Sequence, residues 1–241
     1  PGAGGFDGLP DMDLVLDEDR RASWQAGTEI ALGDLHVDGM PFGLCPRGAL
    51  KRAIAAWGAQ GLTPMIGLEF EGYLFQRDDD GVWRPYDTPG AFVYGTGALN
   101  DPRGFLDAIW EAAHACGLRV ESTNGEFDNG QFELTMGFAE ALRACDDAFL
   151  FRTLARDMAA QKGLMLTFLA KPIPDRGGSG LHVNFSLADA QGQNVIAPDG
   201  TLSDVAQGAV AGLLAQHEGL AALLAMTMNS YDRLTPASMS G

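Results

Sequence analysis

Basic residues are scarce in this 241-residue chain: 16 lysines and arginines stand against 32 aspartates and glutamates, a formal charge of −16. A nucleic-acid backbone calls for a basic patch, so this balance argues against nucleic acid as a partner and leaves room for cations at an acidic cluster. Cysteine is sparse as well. Cys45, Cys116 and Cys145 are odd in number and show no C-x-x-C spacing, which reads as reduced thiols in a cytoplasmic protein. No Cys sits beside a His, so a cysteine nucleophile is poorly supported. A long uncharged apolar run is missing too. The most apolar late stretch, VAQGAVAGLLAQHEGLAALLAM, holds Gln, His and Glu, and reads as an amphipathic helix instead of a membrane span. No signal-peptide pattern opens the chain and no internal repeat appears. The loop GGSG is not a phosphate-binding P-loop, because no Gly-Lys-Ser/Thr follows and it feeds a strand, not a helix.

What is present suits a core. Apolar residues make up 46% of the chain, enough for one large domain or a small and a medium one. The first 25 residues, rich in Gly, Asp and Pro, read as loop. TEIALGDLHV alternates like a strand and turns at Asp38-Gly39. CPRGALKRAIAAWGAQG, with Pro46 near its start and Gly61 after it, reads as a helix. TPMIGLEFEGYLFQ predicts a long strand and DPRGFLDAIWEAAHACG a second helix. LRVESTNGEFDNGQFELTM predicts strand, loop and strand. GFAEALRACDDAFLFRTLARDMAAQKG predicts a long helix, LMLTFLAKP a buried strand stopped by Pro172, and DRGGSGLHVNFSL a glycine loop feeding a strand. A last helix is expected over Ser203 to Met226. The mixture predicts an α/β composition.

Three strands share one oddity. Alternation puts Glu69, Glu71 and Tyr73 on one face of the first. Gln131, Glu133 and Thr135 share a face of the second, with Glu126 in the preceding loop, and His182, Asn184 and Ser186 share a face of the third. Aimed at one cavity, these faces supply four carboxylates and one imidazole. Such acids repel one another and raise each other's pKa unless a cation neutralises them, and hard oxygen donors suit Mg²⁺ or Mn²⁺ over zinc. The competing reading is a solvated antiparallel face, which alternates in the same way. The glycines before His182 either let the backbone approach a ligand closely or make a turn. Lys171 either faces a phosphate or caps a strand end.

In order along the chain, GLEFEGYLF, GEFDNGQFELTM, TFLAKPIPDRGGSGLHVNFSL and NSYDRL resemble motifs of the glutamine synthetase family. They resemble in particular its divergent branch of γ-glutamylpolyamine and other γ-glutamylamide synthetases. The resemblance implies an α+β fold: residues 1–44 as the end of a β-grasp domain, and 45–241 as the N-terminal part of a catalytic domain whose antiparallel sheet is flanked by helices. It implies an ATP-dependent ligase that joins glutamate, or a similar acid, to ammonia or an amine through a γ-glutamyl phosphate. Two or three Mg²⁺ or Mn²⁺ ions per site are implied. Glu71, Glu126 and Glu133 would hold the first, and Glu69 and His182 the second. Gly178 would contact the amino acid, Arg233 its carboxylate as a catalytic and substrate-binding residue, and Ser186 and Asn184 the nucleotide region. Two stacked hexameric rings, a homododecamer, are the implied assembly, with no membrane partner.

The chain departs from the family pattern at three places. Gly177 stands where the family has Asn, Asn184 where it has a second His, and Met239 near the place of a flap Glu. These changes put ammonia, and glutamate itself, in question as substrates. They also sustain an alternative: a non-catalytic homologue that binds or builds an assembly. Asp7 reads either as a residue lent to a neighbouring subunit or as ordinary turn. Later family segments are not found before Gly241, so the chain reads as part of a longer protein, inactive by itself.

Overall fold

The computed structural model describes residues 11–88 and 90–235; Asp7 and Met239 lie outside the described residues. Two antiparallel sheets organise it. The first is built from β1 (Asp13–Gln25), β2 (Thr28–Val37) and β3 (Met40–Pro41), in that order. Helix α1 (Pro46–Gly58) follows, its first turn capped by Cys45, whose sulfur accepts from the Gly48 N–H. The second sheet is organised around β4 (Thr63–Arg77), a 15-residue strand. Next come β5 (Trp83–Pro85), α2 (Phe105–Ala115), β6 (Val120–Gly125), β7 (Gln131–Met136) and β8 (Ala139–Glu140); β5, β7 and β8 pair with β4, and β6 pairs with β7. Helix α3 (Ala141–Gln161), β9 (Leu164–Thr167), β10 (Leu181–Ala188), α4 (Asp204–Leu224) and α5 (Met228–Arg233) complete the order. The fold is α+β, with helices against an antiparallel sheet.

Strand β4 is shared along both edges. On one edge β10 pairs with residues 63–70 and β9 with 73–76; on the other lie β8, β7 and β5. The register leaves β10 and β9 separated opposite Glu71 and Gly72, and the chain between them, residues 168–180, leaves the sheet at that gap. One face of β4 is apolar. Leu68 and Phe70 join Phe132 and Leu134 of β7 beneath α2 and α3. The aromatic rings interlock there: Phe70 lies 5.3 Å from Phe151 and Phe105 lies 5.5 Å from Phe132, centroid to centroid. The core thus anchors one face of the sheet and leaves the other for polar groups.

Two expectations need correction. Residues 13–25 are a strand, not loop. Their charges, Asp17 to Arg21, hide the alternation, and they are held by ion pairs that only the tertiary fold creates. The strand expected over 164–172 ends at Thr167, because the Thr167 hydroxyl accepts the Leu169 N–H and turns the chain out of the sheet. Helix α4 forms where expected, with Ser203 as its N-cap, yet Ala206 is its only buried residue among those described, and Leu213, Leu214, Leu223 and Leu224 are exposed. No helix is long and apolar enough to cross a membrane among the described residues.

A charge network ties the small sheet to the helices. Arg20 on β1 pairs with Asp146 and Asp147 of α3 at 2.9 and 2.6 Å. Arg47 on α1 reaches Asp17 at 2.6 Å, Asp34 at 3.2 Å and Asp146 at 3.0 Å. The hydrogen bond from Arg47 holds the Asp17 carboxyl below its usual range. At Asp34 burial pushes upward, but the Lys51 hydrogen bond and the Lys51 and Arg47 charges outweigh it, and its pKa is also lowered. Removing a partner from such a network strands the remaining charges, so Arg47→Met is expected to cost about 3 kcal/mol. At this chain size that is a fall in melting temperature of about 6–12 °C. Because both carboxyls are depressed, their stabilisation is present above the unfolded pKa and is lost as pH falls below about 4. Thermal denaturation between pH 3 and 7 checks both points: the acid limb of the Arg47→Met curve should be flatter than that of the unmodified protein.

Candidate active site

The polar face of β4 meets its neighbours in register. Glu71 stands opposite Glu133, Tyr73 opposite Gln131, and Glu69 between Thr135 on one side and His182 on the other. The His182 Nδ1 lies 3.1 Å from Glu69 Oε2 and 3.7 Å from Glu71 Oε1. Asn184 donates to Glu69 Oε1 at 2.7 Å. Glu71, only 8% exposed, accepts the Gly180 N–H at 2.9 Å and the Gln131 side-chain amide at 3.4 Å. Glu126 enters from the β6–β7 loop, whose hairpin is closed by its own N–H on the Gln131 carbonyl at 2.9 Å.

The electrostatics are those of crowded acids. Burial first, then the Glu133 and Glu71 charges, push the Glu126 carboxyl up; burial, then Glu69 and Glu71, push Glu133 up. Among the described residues no lysine or arginine forms an ion pair with Glu69, Glu71, Glu126 or Glu133; His182 alone does so, with Glu69 and Glu71. One buried oxygen of Glu126, Oε2, has no hydrogen-bond partner among the described residues. One ligand atom from each of Glu69, Glu133 and His182 lies within 4.8 Å of the others. Carboxylate oxygens with one imidazole, uncompensated charge and an orphaned acceptor together fit a hard divalent cation. The geometry groups Glu133 with Glu69 and His182, so this carboxylate sits between the two ligand sets implied by the resemblance.

The segment after β9 supplies the opposite wall. The Lys171 ammonium donates to the Arg176 carbonyl. Asn229 of α5 clips the Lys171 backbone from both sides, accepting its N–H at 2.7 Å and donating to its carbonyl at 2.8 Å. That clip seats α5 and brings Arg233 against the glycine loop. A Cβ on Gly178 would fall 2.7 Å from Arg233 Cγ, and one on Gly180 would fall 3.1 Å from Arg233 Nη2 and from Glu71 Oε1. At Gly178, where the Ala170 carbonyl oxygen also lies 2.8 Å from that Cβ, a side chain has no room, so the loop packs closely against its own protein neighbours. Among the described residues the buried Arg233 Nε has no hydrogen-bond partner. Ser186 lies on the same face of β10 as His182, four residues on and about 13 Å along the strand, opposite Met65.

The structure therefore brings Glu69, Glu71, Glu126, Glu133, His182 and Asn184 onto one face, sets Gly178 and Arg233 beside it, and leaves Ser186 further along. Gln131, Gly180, Asn229 and Asp128 hold that arrangement and were not singled out as site residues. The signal for Gln131 was present, since it shares the face of Glu133. Nothing local marks Asn229 or Asp128, whose partners are 58 and 49 residues away.

The family model described as glutamine synthetase, catalytic domain, matches residues 43–241. The chain belongs to the glutamine synthetase family. Its similar relatives include a γ-glutamylethanolamide synthetase of Streptomyces coelicolor, 34% identical over 92% of this chain and 49% of that protein. A glutamate–isopropylamine ligase of a Pseudomonas species is 32% identical over 97% of this chain and 54% of its own length. The solved ADP complex of GmaS superposes with a TM-score of 0.84 at 30% identity, covering 96% of this chain and 55% of that one. The chain spans about half the length of the curated relatives it matches.

With two carboxyls raised, the sign of the pH effect is fixed. The unfolded chain ionises first, so without a cation the site destabilises the fold as pH rises above the usual carboxyl range, about 4.5. Mn²⁺ at a hundredfold excess over its Kd is expected to raise the melting temperature by about 5–10 °C at pH 7.5 and far less at pH 4.5. Glu133→Gln should raise the metal-free melting temperature at pH 7.5 and abolish the Mn²⁺ shift. Differential scanning fluorimetry at the two pH values measures both.

Proposed function

We propose that the protein is an ATP-dependent carbon–nitrogen ligase that joins the γ-carboxyl of glutamate, or a similar acid, to an amine through a γ-glutamyl phosphate. The observation that carries this reading is the convergence of four glutamates and one histidine on a single sheet face, with an unpartnered arginine and a glycine-backed wall beside them. Likeness to proteins named as γ-glutamylamide-forming ligases supports it.

In this reading Glu71, Glu126 and Glu133 hold one Mg²⁺ or Mn²⁺ ion and Glu69 and His182 another. When bound, the cations supply charge stabilisation for the phosphoryl oxygens as phosphate moves from ATP to the acid. The chain's own groups prepare the rest. Arg233, its Nε–H unpartnered, binds the α-carboxylate of the acid. The glycine backbone at 178 lets that substrate approach without a side chain between. Gly180 and Gln131 fix Glu71, and Asn184 fixes Glu69, so these carboxylates meet their ions already oriented. Ser186 and Asn184 border the nucleotide. The amine then attacks the acyl phosphate carbon and inorganic phosphate leaves, which completes the amide. A homo-oligomer of two stacked six-membered rings belongs to the same reading.

The test is phosphate release by the full-length protein with ATP, glutamate and Mg²⁺ or Mn²⁺, with ammonia, methylamine, isopropylamine, ethanolamine and putrescine in parallel. Release is expected with an alkylamine. Glu133→Ala should reduce it by at least about a thousandfold, since both acids it neighbours lose a shared ion. Release with ammonia alone would make the protein a glutamine-forming enzyme. Absence of release with every amine, despite bound Mn²⁺, would transfer the reading to another acid substrate or to a non-catalytic assembly.

A further inference from the structure

The glycine wall is gripped from the Tyr73–Gln131 end of the ligand-bearing face. Tyr73, fully buried, places its hydroxyl 2.9 Å from Asp128 Oδ2 and 3.0 Å from the Gly177 carbonyl oxygen. The Gly177 N–H donates to the same Asp128 oxygen. One residue on, the Gly178 carbonyl accepts the Gln131 side-chain amide at 3.0 Å, and Gln131 in turn accepts the Asp128 N–H at 3.3 Å. The charged carboxylate is the stronger acceptor for both the tyrosine proton and the glycine N–H.

This grip occupies space as well as making bonds. A Cβ at Gly177 would fall 2.8 Å from Asp128 Oδ2. A side chain at 177 and a carboxylate at 128 thus compete for one volume, and this chain holds the carboxylate. The loop carrying Asp128 does not need it to fold. The Glu126 and Leu74 N–H groups close that loop on the Gln131 and Gly130 carbonyls, both at 2.9 Å, and Asn129 is locked to Thr88 at 2.9 and 3.0 Å. Arg176 is separately anchored on Asp87 and the Asn129 carbonyl. The Gly178 carbonyl, Ser179 N–H and Gly180 N–H have partners of their own in Gln131, Ala170 and Glu71, and the bond Asp128 itself supplies is at the first step, the Gly177 N–H. That step leads directly to Gly178 beneath Arg233 and to Gly180 on Glu71.

We propose that Asp128, backed by Tyr73, is a positioning residue that pins the 177–180 backbone and thereby sets the seat of the acid substrate against Arg233. The inference rests on the ligase reading for its substrate, and on the geometry alone for the clamp.

Two measurements on the full-length protein test it. In hydrogen exchange without ligand, Asp128→Ala is expected to speed exchange across 177–180 by about tenfold or more, with core amides of β4 and α3 unchanged. Unchanged exchange at 177–180 overturns the clamp whatever the enzyme's substrate. In steady-state kinetics Asp128→Ala should raise KM for the acid by about 10- to 100-fold, and leave KM for ATP and the Mn²⁺ thermal shift as in the unmodified protein. Asp128→Asn, which keeps an acceptor for the Gly177 N–H, should recover most of the loss. Gly177→Ala should impair the unmodified protein and add little to Asp128→Ala, a non-additive pair. A uniform loss in acid, ATP and metal parameters with a lowered melting temperature would make Asp128 merely structural and overturn the proposal. An unmodified protein inactive with every amine would remove the ligase reading, while the exchange result would still stand for or against the clamp.

Discussion

Like charges held close together on one strand face set the terms for everything around them. Glu69 and Glu71 alternate along β4, and Glu133 sits directly across from Glu71. Left to themselves these groups would separate or take up protons. They stay because the opposite face of the same strand is locked into the core by Leu68, Phe70, Phe132 and Leu134, all under 7% exposed. A strand cannot slip its acids away from one another without carrying its aromatic side chains out of the core, since a one-residue slip exchanges the two faces. Apolar packing therefore supplies the force that keeps a repulsive cluster assembled, and that cluster is the chemical resource.

The break between β9 and β10 gives this cluster its second wall. Were one continuous strand paired along that edge of β4, Glu71 would face another ladder residue. Instead the chain leaves the sheet at Thr167 and returns at Leu181, and the Gly180 N–H is directed at the Glu71 side chain while its carbonyl accepts the Glu71 N–H at 3.2 Å. The excursion also carries the Lys171 backbone, on which Asn229 seats α5. One interruption of strand pairing thus introduces a backbone donor, a glycine surface and an arginine beside the acids. Gaps in a ladder normally waste hydrogen bonds; here the Thr167 hydroxyl, the Ala170 carbonyl on the Ser179 N–H at 2.8 Å, and Asn229 recover them.

Much of this was legible from the residues. Period two along 63–76, 131–136 and 182–187 marks the strands and assigns their faces, because side-chain alternation is a local property of extended backbone. Helix stops at Gly61 and Gly117 mark α1 and α2 for the same local reason. β1 escaped notice because its middle, Asp17 to Arg21, carries five consecutive charges, of which Asp17 and Arg20 find their partners, Arg47, Asp146 and Asp147, on other elements. Asp128 reads as a turn residue in DNG, and only the distant Gly177 and Tyr73 reveal it as an anchor. Roles fixed by long-range hydrogen bonds leave no periodic trace in the chain that makes them.

The substitutions that distance this chain from its family pattern have a common physical sense. Asn184 cannot carry the charge a histidine can, and its amide instead fixes Glu69 at 2.7 Å. Gly177 offers no side chain to a ligand, and Asp128 fills the space a side chain would take. Each exchange converts a group able to contact a ligand into one that orients another protein group. On the ligase reading proposed above, recognition at the wall falls to the backbone at 178 and to Arg233, beside which Asp128 holds Gly177 and Asn229 holds Lys171. On the same reading, such a site would read its acid substrate through Arg233 and a close backbone surface, with no side chain at 177 to discriminate.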